Sequence, residues 1–151
     1  MISVHIRKAT TADIPDITRL RVDMLHEVAP FVPCGLSSRI TEYLHLHISN
    51  GTCLCALLED EGQVVAKAML CAYETIPHEL NPSGKAAVLA SVYTLPAYRG
   101  QGHMHNLLGY LLDWARDAGI QEVFGTAEEK ALPLYLRLGF SLLDKEIYRR
   151  L

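Results

Sequence analysis

Two glycines and an arginine lie where a predicted strand meets a strongly predicted helix, in the segment Arg99-Gly100-Gln101-Gly102-His103. The first turn of a helix carries free N–H groups and a partial positive charge, so a diphosphate placed there accepts several backbone hydrogen bonds. A side chain at Gly100 or Gly102 would obstruct that approach, and Arg99 would add a full positive charge at the rim. The segment predicts a phosphate-binding turn, although these residues alone are equally compatible with an ordinary tight turn.

Other phosphate-binding loops fit this sequence less well. A dinucleotide-binding fingerprint that starts at Gly100 needs glycine or alanine at position 105, which is His105. A P-loop needs Gly-Lys followed by serine or threonine, whereas the Gly-Lys pair here, Gly84-Lys85, is followed by Ala86.

The stretch from Val92 to Gly102 resembles the acetyl-CoA motif of GNAT-type N-acetyltransferases. The core of that motif is Arg or Gln, two residues, Gly, one residue, and then Gly or Ala. Arg99 and Gly102 match its first and fourth positions, whereas Met104 stands where Gly or Ala is usual and either narrows the diphosphate site or faces the core. A second stretch, Leu134 to Phe140, is similar to the Tyr-x-x-Leu-Gly-Phe element of the same family, in the expected order and at an expected separation.

The resemblance implies that acetyl-CoA is the co-substrate. Amides from Gly100 to His105 would hold its diphosphate, and exposed N–H groups on the strand Val92 to Thr94 would pair with the pantetheine arm and stabilise the developing oxyanion. The cofactor-binding residues that it implies are Val92, Tyr93, Thr94, Arg99, Gly100, Gln101, Gly102, His103, Met104 and His105.

Tyr135 is the candidate catalytic residue. A phenol with a pKa near ~10 can protonate a thiolate as it leaves, although a tyrosine at this position could also serve only in packing. The general base is left open, because the strand before the turn carries no carboxylate from Ala86 to Val92. Deprotonation of the amine would use water or a residue of another element, and the candidates are Glu27, Glu74, His78 and Glu79. Without a base, the alternative function is a non-catalytic acyl-CoA-binding module.

A metal site is not predicted. Cys53 and Cys55 share one face of a predicted strand, but no set of four ligands has the spacing of a zinc site. His45 and His47 point apart on a predicted helix, so packed thiols and surface imidazoles are the expected roles of these residues.

Composition excludes several other classes of protein. The 151 residues suit a single domain, 1–151, and 14 Lys and Arg against 17 Asp and Glu give a net charge of -3, which argues against general nucleic-acid binding. The sequence shows no apolar run of membrane-spanning length, no secretory signal and no disulfide framework, so we expect a cytoplasmic protein. The expected acceptor is a small-molecule or peptide amine, and the oligomeric state is left open, with a homodimer among the options.

The elements that must position these residues follow from periodicity and from turn residues. We predict an α/β (α+β) fold in which a mixed central sheet is flanked by helices. Helices are predicted after the Thr10–Asp13 capping box and ending before Pro30, from Ser37 or Ser38 to Asn50-Gly51, from Gly102 to Ala118, and from Glu129 to Leu138. Strands are predicted at Ile2–Arg7, Thr52–Glu59, Gln63–Tyr73, Ala86–Thr94 and Gln121–Thr126, and Ser141–Arg150 is predicted as one final strand or two. The first two helices and the loop Glu74–Lys85 would build the acceptor cleft.

Overall fold

The structure is a computed structural model, and it describes residues 3–151. Its five strands form one sheet in the order β1-β2-β3-β4-β5. The first four strands pair antiparallel, whereas β5 runs parallel to β4, so the sheet is mixed, as predicted. The strands are β1 (Val4–Lys8), β2 (Cys53–Asp60), β3 (Gln63–Glu74), β4 (Lys85–Thr94) and β5 (Glu122–Phe124).

Helices cover both faces of the sheet. The helices are α1 (Ile14–Val28), α2 (Leu36–Ser49), α3 (His103–Asp117) and α4 (Leu132–Arg137). One buried cluster joins α1 and α2 to the sheet, and its members include Ile17, Leu44, Cys55 and Met69. The second cluster lies on the opposite face, where the leucine stripe of α3 packs on alternate residues of β2 and β3. Leu107, Leu108, Leu111 and Ala115 of α3 therefore form a core surface.

The ends of the predicted helices are mostly confirmed. A short 3-10 turn precedes α1, and the Asp13 carboxylate accepts a hydrogen bond from the backbone N–H of Thr10 at 2.8 Å, as the capping box predicts. The second helix begins earlier than predicted, because its N-cap is Gly35 in left-handed conformation and not Ser37 or Ser38. The last helix begins as a 3-10 turn at Glu129 and becomes α-helical at Leu132.

Strand β4 departs from regular geometry in the half that leads to the predicted phosphate turn. Its pairing with β5 covers only Ala86 to Val88, so the following residues form an open edge on that side. Its register with β3 shifts by one residue between Lys67 and Met69, and Ser91 adopts a left-handed φ of 56°. The strand therefore carries a β-bulge beside the open edge.

The prediction of a strand over Ser141–Arg150 is wrong. No strand is assigned there, and the apolar side chains of Leu142, Leu143 and Ile147 are exposed. The charged run from Asp144 to Glu146 interrupts the apolar pattern, and the segment makes no ladder with the three-residue β5. The first predicted strand is observed as Val4–Lys8, and Ile2 lies outside the described residues. Within residues 3–151, no helix combines the length and apolar character needed to cross a bilayer.

Candidate active site

The predicted phosphate turn opens α3. Gly100 and Gly102 both adopt left-handed φ angles, 72° and 80°, which side-chain-bearing residues rarely adopt. A Cβ atom placed on either glycine would meet nothing within 4 Å, so the space in front of the turn is open. Gly102 is the N-cap of α3 and has no side chain to satisfy the free N–H groups of the first turn. This turn therefore offers aimed N–H donors to an anion, which is the geometry that a diphosphate needs.

The side chains of the turn face away from its backbone donors. Met104 packs against the core cluster beneath α3, so its large side chain is directed to the core. The Gln101 amide donates to the carbonyl of Ala97 at 3.1 Å, which closes the turn on itself. The ring Nε2 of His103 lies 3.3 Å from the Oε1 of Gln101. The side chains of Gln101, His103 and Met104 are thus engaged within the turn or against the core.

A tyrosine that the sequence analysis missed anchors the turn to the sheet. The hydroxyl of Tyr98 donates a hydrogen bond to Asp60 Oδ2 at 2.7 Å, and Asp60 is the last residue of β2. This bond raises the pKa of Tyr98 above its ordinary value. Tyr98 immediately precedes Arg99, so the bond fixes the approach of the chain to the glycines.

Arg99 is held at the rim of the turn by Glu27. Its Nη2 lies 3.1 and 3.0 Å from the two carboxylate oxygens of Glu27, and its Nε donates to the carbonyl of Thr94 at 2.8 Å. Glu27 also accepts a hydrogen bond from the hydroxyl of Tyr93 at 2.5 Å. The hydrogen bond from Tyr93, and to a smaller extent the one from Arg99, lowers the pKa of Glu27. The end of α1 is thereby joined to the end of β4, a link between residues too far apart in the sequence to be predicted.

The open edge of β4 carries free backbone donors. The N–H of Leu95 donates to the carbonyl of Val65 on β3 at 2.9 Å. Because successive residues of a strand direct their N–H groups to opposite sides, the N–H of Tyr93 faces β3, and those of Val92 and Thr94 face the open edge. Val92 and Thr94 thus present backbone donors at the open edge. Tyr93 lies between them, and its side chain contacts Glu27.

Tyr135 is fixed by the way α4 ends. Gly139 has a φ of 91°, its N–H donates to the carbonyl of Leu136, and the N–H of Phe140 donates to the carbonyl of Tyr135, both at 3.1 Å. This is a Schellman motif, which ordinarily brings the residue after the glycine against the helix side chain five positions before it. The rings of Phe140 and Tyr135 meet edge to face, with centroids 5.6 Å apart. The helix end from Tyr135 to Phe140 thus fixes the orientation of the tyrosine ring.

Tyr135 lines a cavity of about 300 Å³ at the point where β5 leaves β4. Leu89, Phe124, Gly125 and Phe140 also line this cavity. Gly125 lies close to Leu89, since a Cβ on that glycine would approach the Leu89 Cβ to 3.3 Å. Within residues 3–151 no side-chain polar atom is both buried and without a hydrogen-bond partner. Burial raises the pKa of Tyr135, so the phenol is protonated at neutral pH.

The candidate general bases lie at two ends of β4. Glu74 pairs in register with Lys85, at the start of β4, and His78 Nε2 lies 2.9 Å from Glu122 Oε1, at the start of β5. Glu79 belongs to the same loop as His78. Of the four candidates, Glu27 is the one that contacts the end of β4 near the phosphate turn.

Histidine and cysteine form no metal site in the described chain. No group of three or more His, Cys, Asp or Glu residues among residues 3–151 is placed to hold a metal ion. Cys53 and Cys55 are free and buried on the same face of β2, as the alternation predicted.

A family profile and a set of solved structures give a consistent result. The profile of the acetyltransferase (GNAT) family matches residues 21–140. A predicted acetyltransferase from Clostridium acetobutylicum, solved with acetyl-CoA, has a TM-score of 0.90 at 22% identity and covers 98% of this chain and 96% of its own. A GCN5-related N-acetyltransferase from Ralstonia eutropha has a TM-score of 0.86 at 21% identity, with 98% and 99% covered.

A more distant structure extends the comparison. The glucosamine-6-phosphate N-acetyltransferase of Arabidopsis thaliana has a TM-score of 0.76 at 18% identity and covers 98% of both chains. No match was found among curated proteins. At these identities the solved structures show a common fold, and the profile match spans most of the sequence. The chain belongs to the GNAT family of acetyltransferases.

Proposed function

We propose that the protein transfers an acetyl group from acetyl-CoA directly to a primary amine. The observation that carries this proposal is that three features follow one another along β4 and just after it, beyond the residues that pair with β5. These features are the open glycine turn at Gly100–Gly102, the free N–H donors of Val92 and Thr94, and the cavity that Tyr135 lines. The acetyl-CoA bound in the Clostridium structure supports the choice of co-substrate.

Each step of such a transfer has a group in this chain to serve it. The N–H groups that open α3 would hold the diphosphate, and those of β4 would donate to the thioester carbonyl as negative charge develops on its oxygen. Attack of the neutral amine on the carbonyl carbon forms the C–N bond, and the C–S bond then breaks. Tyr135 gives its proton to the departing thiolate, and the proton lost by the amine passes to water or to Glu27.

General chemistry indicates the class of the acceptor. A small-molecule or peptide amine is the class that we assign, in a cleft on the α1 and α2 side of the sheet. The carboxylate of Glu27, which lies at that side of β4, supports a cationic amine as the incoming group. All four cysteines are free thiols, which supports the cytoplasm as the place of action.

Thiol release from acetyl-CoA, measured with a panel of amines, tests the proposal. We expect amine-dependent release together with an acetylated product seen by mass spectrometry. The panel should include aminosugars, polyamines, amino acids and peptides with free N-termini or lysines. Tight binding of acetyl-CoA without release, over the whole panel, would instead favour a non-catalytic acyl-CoA-binding module. Stabilisation against heat by ATP but not by CoA would contradict both functions.

A further inference from the structure

A lysine is completely buried behind the open edge of β4. Lys67 lies on β3 with no exposed surface, and its neighbours Ala66 and Ala68 belong to the core beneath α3. Since side chains alternate along a strand, Lys67 points to the opposite face, toward α1. A lysine at such a position is rare unless its ammonium group has specific partners.

The partners of Lys67 are on the bulge of β4. Its Nζ donates to the carbonyl oxygen of Ser91 at 2.8 Å and also to the Ser91 hydroxyl. Ser91 is the residue in left-handed conformation, at which the register between β3 and β4 shifts. A left-handed φ is unfavourable for serine, so the bulge needs contacts that hold it in place.

The surroundings of Lys67 contain no counter-ion. The groups that bear on it are Arg21 from α1 and the thiols of Cys53 and Cys55 from β2, with no carboxylate among these neighbours in the described chain. Burial lowers the pKa of Lys67 to about 7. Charged or neutral, the amine keeps enough N–H groups to donate to both oxygens of Ser91.

We propose that Lys67 is a positioning residue for acetyl transfer, because it holds the Ser91 bulge from which Val92 and Thr94 present their N–H groups. This inference rests on the proposed function, since it assigns those donors to the thioester carbonyl. Preorganised donors stabilise a developing oxyanion only while their direction is fixed. Lys67 touches neither substrate and acts through the backbone of β4.

The test compares Lys67→Met with the double variant Lys67→Met/Ser91→Gly. Methionine keeps the unbranched apolar stem but removes the N–H donors, and glycine adopts a left-handed φ without strain. We expect Lys67→Met to lower kcat by about tenfold or more while KM for acetyl-CoA changes by less than about twofold, because one aimed donor contributes roughly 10²–10³ to kcat. The double variant should recover part of the lost kcat. Lys8→Met, at an exposed lysine of β1, is the matched control and should keep normal kinetics.

A second measurement separates this inference from the proposed function. Backbone amide spectra of the free protein should show shifted Val92 and Thr94 signals in Lys67→Met but not in Lys8→Met. Unchanged amide signals and a wild-type kcat would overturn the role of Lys67. An equal loss of kcat and acetyl-CoA affinity without rescue by Ser91→Gly would show general damage and would also overturn it. Absence of turnover in the wild type would reject the proposed function, whereas the amide spectra would still decide whether Lys67 sets the bulge.

Discussion

The hydroxyl of Tyr93 donates a hydrogen bond to Glu27 across 2.5 Å, which joins the last turn of α1 to the end of β4. The same carboxylate holds the guanidinium of Arg99, which stacks 5.3 Å above the Tyr93 ring. Arg99 is the cation that we expect at the rim of the diphosphate site. In the free protein, therefore, a negative charge faces the turn, and CoA must compete with it for Arg99.

Replacement of that carboxylate should favour CoA. We expect Glu27→Gln to tighten CoA binding by about two- to fivefold, because it removes an exposed negative charge near the diphosphate and releases Arg99. Titration calorimetry at low and high salt measures this, and the gain should shrink as salt rises. Glu74→Gln, at the opposite end of β4, should leave affinity unchanged. Weaker binding in Glu27→Gln would mean that Glu27 holds Arg99 in its productive position, and a loss of kcat would instead identify Glu27 as the general base.

The turn at the start of α3 can be tested by filling its open space. Gly102→Glu should abolish CoA binding, since it places bulk and negative charge against the diphosphate and strains a φ of 80°. The chain offers a close control in Gly35, which is the N-cap of α2 and has a φ of 82° with nothing within 4 Å of a built Cβ. Gly35→Glu carries the same backbone strain, so it should lose similar stability and keep CoA affinity. Normal affinity in Gly102→Glu would reject this site.

Lys67 should give the stability of the protein a characteristic pH dependence. Its pKa falls from 10.5 to about 7 on folding, so between these values the unfolded chain binds one more proton than the folded one. Stability contributed at this position therefore rises as the pH increases from 7 toward 10 and is lowest below pH 7. Urea unfolding of Lys67→Met should lack that rise, and the variant should gain most over the wild type at pH 7 or below. Parallel pH curves for the wild type and Lys67→Met would contradict burial of the amine.

Activity and stability of Lys67→Met should change in different directions. A buried cation without a counter-ion destabilises the fold, so a methionine there should be tolerated or stabilising. Lower activity in a protein of equal or higher stability is the pattern expected of a residue retained for the site.

Local sequence patterns predicted most of the elements but little of the network between them. The leucine stripe of α3 and the glycines of the turn carry their own signals, because helix periodicity and left-handed φ angles are properties of neighbouring residues. The bond between Glu27 and Tyr93 joins residues 66 positions apart, and only the assembled sheet brings them together. Lys67 lay inside an otherwise apolar strand and gave no sign of its partner, since the bulge at Ser91 depends on the register of two strands.

The failure over Ser141–Arg150 has a related cause. Its apolar residues suggested a strand, but a strand is stable only when it pairs with a neighbour. The neighbouring β5 is only three residues long, so few hydrogen bonds could form. By contrast, the predicted end of the last helix at Leu138 agrees with the structure, in which Leu138 is the C-cap of α4, because a Schellman motif is encoded within one turn of a helix and the two residues that follow it. The role of Tyr135 itself stays a prediction.

Removal of the Tyr135 hydroxyl tests that role. Tyr135→Phe should lower kcat by about 10²-fold or more, since general acid catalysis contributes roughly 10²–10⁴, and it should leave the affinity for acetyl-CoA nearly unchanged. The phenylalanine ring can keep the edge-to-face contact with Phe140, so the Schellman motif and the stability should persist. Tyr148→Phe, on an exposed tyrosine, is the matched control and should keep full turnover.

The pH profile makes this test specific. Burial raises the pKa of Tyr135 above its ordinary value, so the phenol stays protonated to a higher pH than an exposed tyrosine does. The wild-type kcat should therefore rise with pH and fall only above the ordinary range of a phenol, whereas Tyr135→Phe should lack that alkaline fall. An acetyl donor with a weakly basic leaving group, such as an aryl thioester, should restore much of the lost rate in Tyr135→Phe, because its thiolate leaves without needing a proton. Normal turnover in Tyr135→Phe with acetyl-CoA would leave the tyrosine only a packing role against Phe140.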